Sequence, residues 1–524
     1  MANIYDLPNE ILLIVISLLD ISDILSLRQT CSLTHAAIQD KSVWSSLLEE
    51  QQRQIPFVAP LREPHSSYIL GLDPSVLQSE VLTARRIDRL WLGTRRRSPT
   101  KFQPSGNVHL IGLNVFLDKW LLAVYSEGMH LWDLDLNLCG VFPGFRRASL
   151  ALSKSGFSSY TAVLDGPNAR ILIVIKKHSF ISPFVTLLYE IPLASPDFHL
   201  VCSIGSNPLY SPRHIDPVHN TVLSSHACSV ELLDWTKSGS PPVVISTEGE
   251  NLEEMYTAIH DVRLFGPYMI VFKTRSIELH PLPSDLRCGP SAIEHDLPIL
   301  KHKFSKTFRG YIISEFPDDK LSDVLTLDFL ALDVIHGLFH YTVHITIAVP
   351  TLEVNLTGLK SLSNLIYRQS AMKPFVLQDV DSKHTPFYVQ ESSVFESSPV
   401  VPPEAWATLD DKAGGFICAY CMGPQAMRAV WMERSRGSML REIALARLRR
   451  PGETQDQGEI MNIEARVVHE ERSYDLRGLE FQFLSENKLS HCADDYTHCA
   501  LGEATGRLVL GNRAGDLFLL GVDN

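Results

Sequence analysis

The sequence predicts a multidomain α plus all-β protein, with a small N-terminal helical module, an amphipathic connector helix and a large β domain. Three observations carry this. Residues 1–55 bear helix signals throughout, and their first segment, Ile11 to Leu19, is apolar at eight of nine positions. An amphipathic pattern follows over 74–92. From about residue 101 onward, short apolar runs alternate with polar turn residues. With 45% hydrophobic and 20% charged residues over 524 positions, the chain has enough apolar material for several cores.

Composition narrows the function classes. Lys and Arg number 47 against 60 Asp and Glu, a net charge of −13, which is a poor footprint for duplex nucleic acid. The Ile11–Leu19 run is too short to span a bilayer, which needs about 20 residues. Asp6 and Glu10 stand where a signal peptide would carry positive charge. Nine scattered cysteines read as reduced thiols of the cytosol or nucleus, so a soluble, cytoplasmic or nuclear protein is expected.

In the module of residues 1–55, Pro8 suits the first turn of a helix. Asp20-Ile21-Ser22 breaks that helix, and Ser22 is a candidate cap for a second, with Asp23 in its first turn. Ser32 and Ser42 are candidate caps for helices over Leu33–Ile38 and Val43–Gln52. In the first helix Ile11, Val15, Leu18 and Leu19 share a face, while Leu12, Leu13, Ile14 and Ile16 cover most of the rest. A helix apolar all round should be covered all round, yet a module this small buries only about 60% of its surface. The surplus must meet either the other domain or a separate protein.

The residues also carry a resemblance. Leu7-Pro8-x-Glu10-Ile11, then Val15, Leu19-Asp20, Ile24-Leu25, Leu27-Arg28, Cys31 and Trp44 resemble the F-box motif in register. Leu33-Thr34-His35 depart from it where the family often has an aromatic residue. The resemblance implies binding to the Skp-type adaptor of a cullin-based ubiquitin ligase through Leu7, Pro8, Glu10, Ile11, Val15, Leu18, Leu19, Ile24, Leu25, Leu27 and Trp44. The competing expectation is a helical cap folded against the rest of the chain.

Residues 56–100 form the connector. Pro56, Pro60 and Pro64 mark an extended link, and Asp73-Pro74 is a cap followed by a first-turn proline. Leu77, Val81, Ala84, Ile87 and Trp91 then recur at helical spacing to about Leu92. Arg85, Arg86, Arg89 and Arg95 to Arg97 read as arginines on a solvated helix face and in the following loop, with a nuclear-import or phosphate-binding role as the alternative.

Over 101–524 the repeated unit is strand, polar turn, strand. It occurs as Leu121–Tyr125 with Met129–Asp133, Ile171–Ile175 with Phe184–Ile191, Thr221–Leu223 with Val230–Trp235, and Met269–Phe272 with Ile277–Leu282. Later copies are Leu325–Val334 with Leu338–Ile347, Ala429–Met432 with Met439–Ile443, and Arg507–Leu510 with Asp516–Leu520. The first four turns fall near 127, 178, 226 and 275, the spacing of four-stranded propeller blades. A β-propeller of seven blades is expected, with eight also compatible; closure into a ring removes exposed strand edges. Trp132-Asp133 and the Gly511–Gly515 loop resemble the blade-closing dipeptide and the loop between third and fourth strands of WD-repeat proteins. Wider spacing in the later half calls for insertions, placed near 385–410 (Ser392–Pro403) and 450–460 (Arg450–Gln457). A β-sandwich is the competing architecture, and the period of leucine-rich repeats is not found.

Chemistry is sparse. Cys418-Ala419-Tyr420-Cys421 has the spacing of a zinc knuckle or redox pair, with His491-Cys492 and His498-Cys499 further on. Residues three apart on a strand face opposite sides, so these thiols should point apart and read as buried free cysteines. Nucleophile-elbow, phosphate-loop, zinc-protease and dinucleotide motifs are not found. His214 and His219 flank Asp216 in what reads as surface loop, and Arg146-Arg147 and Lys176-Lys177 are weak phosphate-reader candidates beside the plainer reading as surface charge. No metal or cofactor is called for. The expected role is the non-catalytic target-recognition subunit of an SCF-type ligase, binding an adaptor, through it a cullin, and an unknown target protein; the alternative is a scaffold or interaction hub in a stable complex.

Overall fold

The computed structural model describes residues 7–58, 71–91, 100–102, 109–135, 145–152, 156–178, 184–205, 207–237, 242–247, 258–282, 294–295, 298–315, 324–334, 336–346, 350–361, 387–390, 416–434, 441–448 and 496–521. Among the described residues five helices come first: α1 (Asn9–Ser17), α2 (Ile21–Arg28), α3 (Ser32–Ile38), α4 (Lys41–Gln52) and α5 (Pro74–Trp91). Their ends differ from the expected caps. Pro8 is the N-cap of α1, its carbonyl accepting the Leu12 N–H at 3.0 Å. Aspartates lead α2 and α4 in place of Ser22 and Ser42. Asp20 sits at the first of these N-caps. At the second, Asp40 Oδ1 accepts the Ser42 N–H at 2.8 Å and the Ser42 hydroxyl at 2.7 Å. At Asp40 one carboxylate oxygen serves both donors and its charge favours the helix dipole, whereas the Asp20 side chain makes no cap hydrogen bond. Ser32 is the first residue of α3, behind Cys31.

The module's core joins Leu12, Ile16, Ile24, Ile38, Val43, Trp44, Leu47 and Leu48 to Leu77, Val81 and Ala84 of α5. The connector helix therefore packs as part of the helical module. Asp73 starts it as expected, with Oδ1 accepting the Ser75 N–H and hydroxyl.

The β domain is a ring of seven sheets, and each predicted hairpin supplies the second and third strands of one. Blade 1 is β2 (Leu110–Phe116), β3 (Trp120–Tyr125), β4 (Gly128–Asp133) and β5 (Phe145–Ala151). Blade 2 is β6 (Gly156–Asp165), β7 (Arg170–His178), β8 (Val185–Pro192) and β9 (His199–Ile204). Blade 3 is β10 (Ser211–Asp216), β11 (Thr221–His226), β12 (Ser229–Asp234) and β13 (Val243–Ser246). Blade 4 is β14 (Ile259–Phe265), β15 (Tyr268–Lys273), β16 (Ser276–Pro281) and, after β17 (Glu294–His295), β18 (Leu300–Lys303). Blade 5 is β19 (Phe308–Ile313), β20 (Val324–Asp333), β21 (Gly337–Thr346) and β22 (Thr351–Ser361). A further short strand, β23 (Phe387–Gln390), follows. Blade 6 shows β24 (Phe416–Met422), β25 (Arg428–Arg434) and β26 (Arg441–Arg447). Blade 7 is β27 (Tyr496–Gly502), β28 (Arg507–Asn512) and β29 (Leu517–Leu520), completed by β1 (Thr100–Phe102), which pairs Lys101 with Phe518. A strand from before blade 1 thus closes the ring.

Middle strands such as β3, β11 and β28 are buried almost throughout because sheets press on both faces. Three details differ from expectation. Gly511–Gly515 joins the second and third strands of its sheet. Trp132-Asp133 ends a third strand, with β5 following as the fourth. In blade 6 Met432 pairs with Ile443 and Ala429 with Ala446, so the third strand runs later than Met439–Ile443; Met439 itself lies outside the described residues. The segments Ser392–Pro403 and Arg450–Gln457 also lie outside them. Within 385–410, Phe387–Gln390 adds in parallel to the outer edge of blade 4, as Glu294–His295 does on blade 3.

Candidate functional site: an apolar helix face and the clamp behind it

Helix α1 separates its residues cleanly. Leu12 and Ile16 are fully buried in the module. Ile11, Ile14, Val15 and Leu18 occupy i, i+3, i+4 and i+7, one continuous stripe, and are 44%, 57%, 38% and 81% exposed. Leu7 is 38% exposed just ahead of them, and Pro8 and Glu10 are open as well. Leu18 alone leaves most of a leucine side chain in water. Burying it would contribute about 2 kcal/mol.

The remaining predicted contact residues divide in two. Leu19, Leu25 and Leu27 are partly buried at the module's margin. Leu25 helps line an open hollow of about 740 Å³ with Arg28, Gln29, Cys31, Ser32 and His35. Ile24 and Trp44 are fully buried, and Trp44 donates its indole N–H to the Ile38 carbonyl at 2.7 Å. These two offer no surface; they hold the module together. The burial follows from helix phase, which turns Ile24 into the module core on the side where α2 meets α3, and from a ring too large to be covered by less than a core. Ile14, absent from the predicted set, belongs to the stripe, and its i+3 spacing from Ile11 was the available signal.

Behind this face, α5 runs into the propeller. Its Trp91 is fully buried in an apolar cluster with Val430, Met432 and Leu445 of blade 6 and Leu508, Leu510 and Phe518 of blade 7. The Trp91 indole donates to the Ala446 carbonyl at 3.3 Å, and the Arg428 guanidinium lies 4.8 Å from the ring centre. Arg428 Nη2 meets Asp88 Oδ1 at 3.3 Å, and Arg447 Nη2 donates to the same oxygen at 2.7 Å. From blade 7, the Glu503 carboxylate accepts the N–H groups of Gln425, Met427 and Arg428 at 2.7, 2.7 and 2.8 Å, while Arg428 Nη1 donates to the Glu503 carbonyl. Burial pushes the Glu503 carboxyl up to about 7 despite these donors, and burial draws the Arg428 guanidinium below its usual range. Gln425 also exchanges hydrogen bonds with the backbone of Phe57, which precedes the connector helix. The clamp escapes a sequence reading, since its members are isolated polar residues hundreds of positions apart.

The other candidates resolve into structure. Lys176 is buried, donates to the carbonyls of Pro208 and Tyr210, and is drawn below its usual pKa by desolvation, so it cannot read a ligand. Arg147 lies 3.6 Å from Asp133. His219 and Asp216 bond each other in the β10–β11 turn at 3.1 Å, and His214 is hydrogen-bonded to Arg263. Cys421 is buried and Cys418 half-buried. Among the described residues, no group of three or more His, Cys, Asp or Glu is placed to hold a metal ion. No described helix is long and apolar enough to cross a membrane.

The F-box-like family model matches residues 4–50, which takes in α1 to α3 and most of α4. No curated protein matches the chain. Among solved structures it is similar to the β-propeller domain of Myceliophteria thermophila Cps50 (Swd1), at 8% identity over 82% of this chain and 100% of that one, with a TM-score of 0.42. It is also similar to Kluyveromyces lactis Hsv2, at 8% identity over 77% and 90% of the two chains, with a TM-score of 0.38. The protein thus carries an F-box-like domain over residues 4–50, followed by a seven-bladed β-propeller.

Proposed function

We propose that this chain is the target-recognition subunit of an SCF-type ubiquitin ligase. Its α1 stripe docks a Skp-type adaptor, and through it a cullin, while the propeller holds a target protein. The observation that supports this most is the bare stripe of Leu7, Ile11, Ile14, Val15 and Leu18 on a module whose core is otherwise closed. An exposed apolar patch of this kind on a folded domain marks a protein contact. Pro8, Glu10, Leu19, Leu25 and Leu27 frame the contact, and Ile24 and Trp44 support it from below.

The chain supplies effective concentration, and the ubiquitin transfer belongs to other subunits. Tethering makes the encounter of target and charged enzyme effectively intramolecular. The clamp at Arg428 gives the tether a defined reach, since it fixes the helical module to blades 6 and 7. Such an assembly works in the cytoplasm or nucleus. In a co-purification of the full chain with a Skp-type adaptor, Leu7→Ala with Pro8→Ala, or Val15→Asp, abolishes capture while circular dichroism of the propeller is unchanged. Normal capture by both variants would sink the docking assignment. A bound partner that accumulates on proteasome inhibition supports the ligase reading; unchanged levels favour a scaffold.

A further inference from the structure

Four cations lie together where blade 4 passes into blade 5. From Leu300 to Arg309 the chain reads Leu-Lys-His-Lys-Phe-Ser-Lys-Thr-Phe-Arg. Phe304 and Phe308 are buried, edge to face with ring centres 5.0 Å apart, and anchor this segment. Lys303 and Lys306 stay half-buried, and Arg309 is exposed at the start of β19. The fourth cation, Arg275, is exposed in the turn between β15 and β16. Hydrogen bonds bind that turn to the segment. The Phe304 N–H donates to the Arg275 carbonyl at 2.7 Å and the Phe308 N–H to the Thr274 carbonyl at 2.8 Å, while Arg275 Nε donates to the Thr307 hydroxyl at 3.0 Å. Lys303 stands across from Ser276, the next residue of the same turn, in the β16–β18 pairing.

The neighbouring acids are turned inward and already engaged. Glu278 is buried, 2.6 Å from the Lys273 ammonium and 3.0 Å from that of Lys301. Asp333 is buried and accepts the N–H groups of Thr307 at 3.2 Å and of His336 at 2.9 Å. The layer that meets water is therefore basic, on a chain whose net charge is −13. Beside Asp333, in the turn between β20 and β21, Val334 is 46% exposed.

We propose that this surface, formed by Arg275, Lys303, Lys306 and Arg309 with Val334 at its edge, docks an acidic segment of a target protein, a run of Asp and Glu carrying an apolar residue. The charges stand on separate segments, namely a hairpin turn, the end of an outer strand, the loop after it and the start of an inner strand. Such a spread meets successive carboxylates along an extended peptide. Complementary charge of this kind steers the encounter and sets its orientation. A nucleic acid would draw on a longer basic track than four residues of an acidic chain supply. The inference rests on the reading that the propeller holds a target protein, and it is independent of the adaptor contact on α1.

The test uses the full-length chain and fluorescence anisotropy of a short labelled peptide of Glu and Asp around one Leu. The same peptide with Gln and Asn in place of the acids is the control. The expected result is binding of the acidic peptide at least tenfold tighter than the control, weakened as salt is raised. Arg275→Glu with Arg309→Glu lowers that affinity at least tenfold, and capture of a Skp-type adaptor is unchanged. Carbodiimide coupling of the bound peptide to wild-type protein, mapped by mass spectrometry, places the new amide bonds on Lys303 or Lys306. Equal binding of the acidic and amide peptides overturns the proposal, as do cross-links confined to other lysines. So does tighter binding of single-stranded RNA or phosphatidylserine vesicles than of the peptide, or binding of a phosphoserine peptide alone. The cross-link map is read on unaltered protein, so its outcome holds even where a variant misfolds. Lost adaptor capture with peptide binding intact would strike the α1 assignment and leave this surface standing.

Discussion

Arg428 of blade 6 and Asp88 of the connector helix face each other at 3.3 Å inside the protein, with the Arg428 guanidinium laid over the Trp91 ring. Removing one partner of a buried charge pair leaves the other uncompensated, at a cost of about 3–5 kcal/mol. Arg428→Met is therefore expected to lower the urea midpoint strongly. Asp88→Asn, which strips the counter-charge from Arg428 and Arg447 alike, does so to a similar degree. Because the two side chains share one interaction, the double variant loses less than the sum of the single losses.

Two residues of α1 separate stability from docking. Ile16 is fully buried and Leu18 is 81% exposed. Ile16→Ala opens a cavity and costs about 2–4 kcal/mol in chemical denaturation. Leu18→Asp changes stability by no more than about 0.5 kcal/mol, yet weakens capture of a Skp-type adaptor at least tenfold in a binding titration. Equal capture by the wild type and Leu18→Asp would remove Leu18 from the contact.

Glu231 on β12 is buried, and desolvation pushes its carboxyl up to about 7, against the pull of the Asn207 N–H and the Lys176 charge. Asp261 and Glu503 are raised to about 7 by burial in the same way. Each binds its proton more tightly folded than unfolded. The stability tied to that proton is complete below the ordinary carboxylate range and is lost as pH rises through about 7. Urea midpoints should accordingly fall between about pH 5 and pH 8. Glu231→Gln flattens that slope and is more stable than wild type at the upper end. An unchanged slope would contradict the assignment.

Gly310 on β19 faces Tyr420 of the next blade, whose hydroxyl lies 2.6 Å from where a Cβ would stand. Gly310→Ala is expected to cost about 1–3 kcal/mol through overpacking. Tyr420→Phe removes the clashing oxygen, so Gly310→Ala should be milder in that background. A double-mutant cycle on denaturation midpoints measures the difference.

Much of the architecture is legible in the sequence because the middle strands of each blade are pressed on both faces. Leu121–Tyr125 and Arg507–Leu510 read as apolar runs wherever they are met, and their tight turns carry local chemistry. The outer strands are another matter. Most of β9 is half-covered or open, so its pattern has no strong period, and the role of Thr100–Phe102 in blade 7 depends on a partner far along the chain. Helix caps go astray for a local reason, since aspartate and serine stand two positions apart at both Asp20-Ile21-Ser22 and Asp40-Lys41-Ser42. The exposed stripe of α1 is visible in the sequence as an excess of apolar residues, but which of them stay outside depends on helix phase. That phase puts Ile24 and Trp44 in the core and leaves Ile14 on the surface.

The strand at Thr100–Phe102 also bears on how the molecule comes into being. Its mate, Leu517–Leu520, is the last of the described strands to be synthesised. On the ribosome, six blades must therefore wait as an open arc with raw hydrogen-bonding edges, the circumstance in which nascent chains stick to one another. Helpers that shield such arcs during translation should matter more for the yield of this protein than for its endurance once the circle is complete.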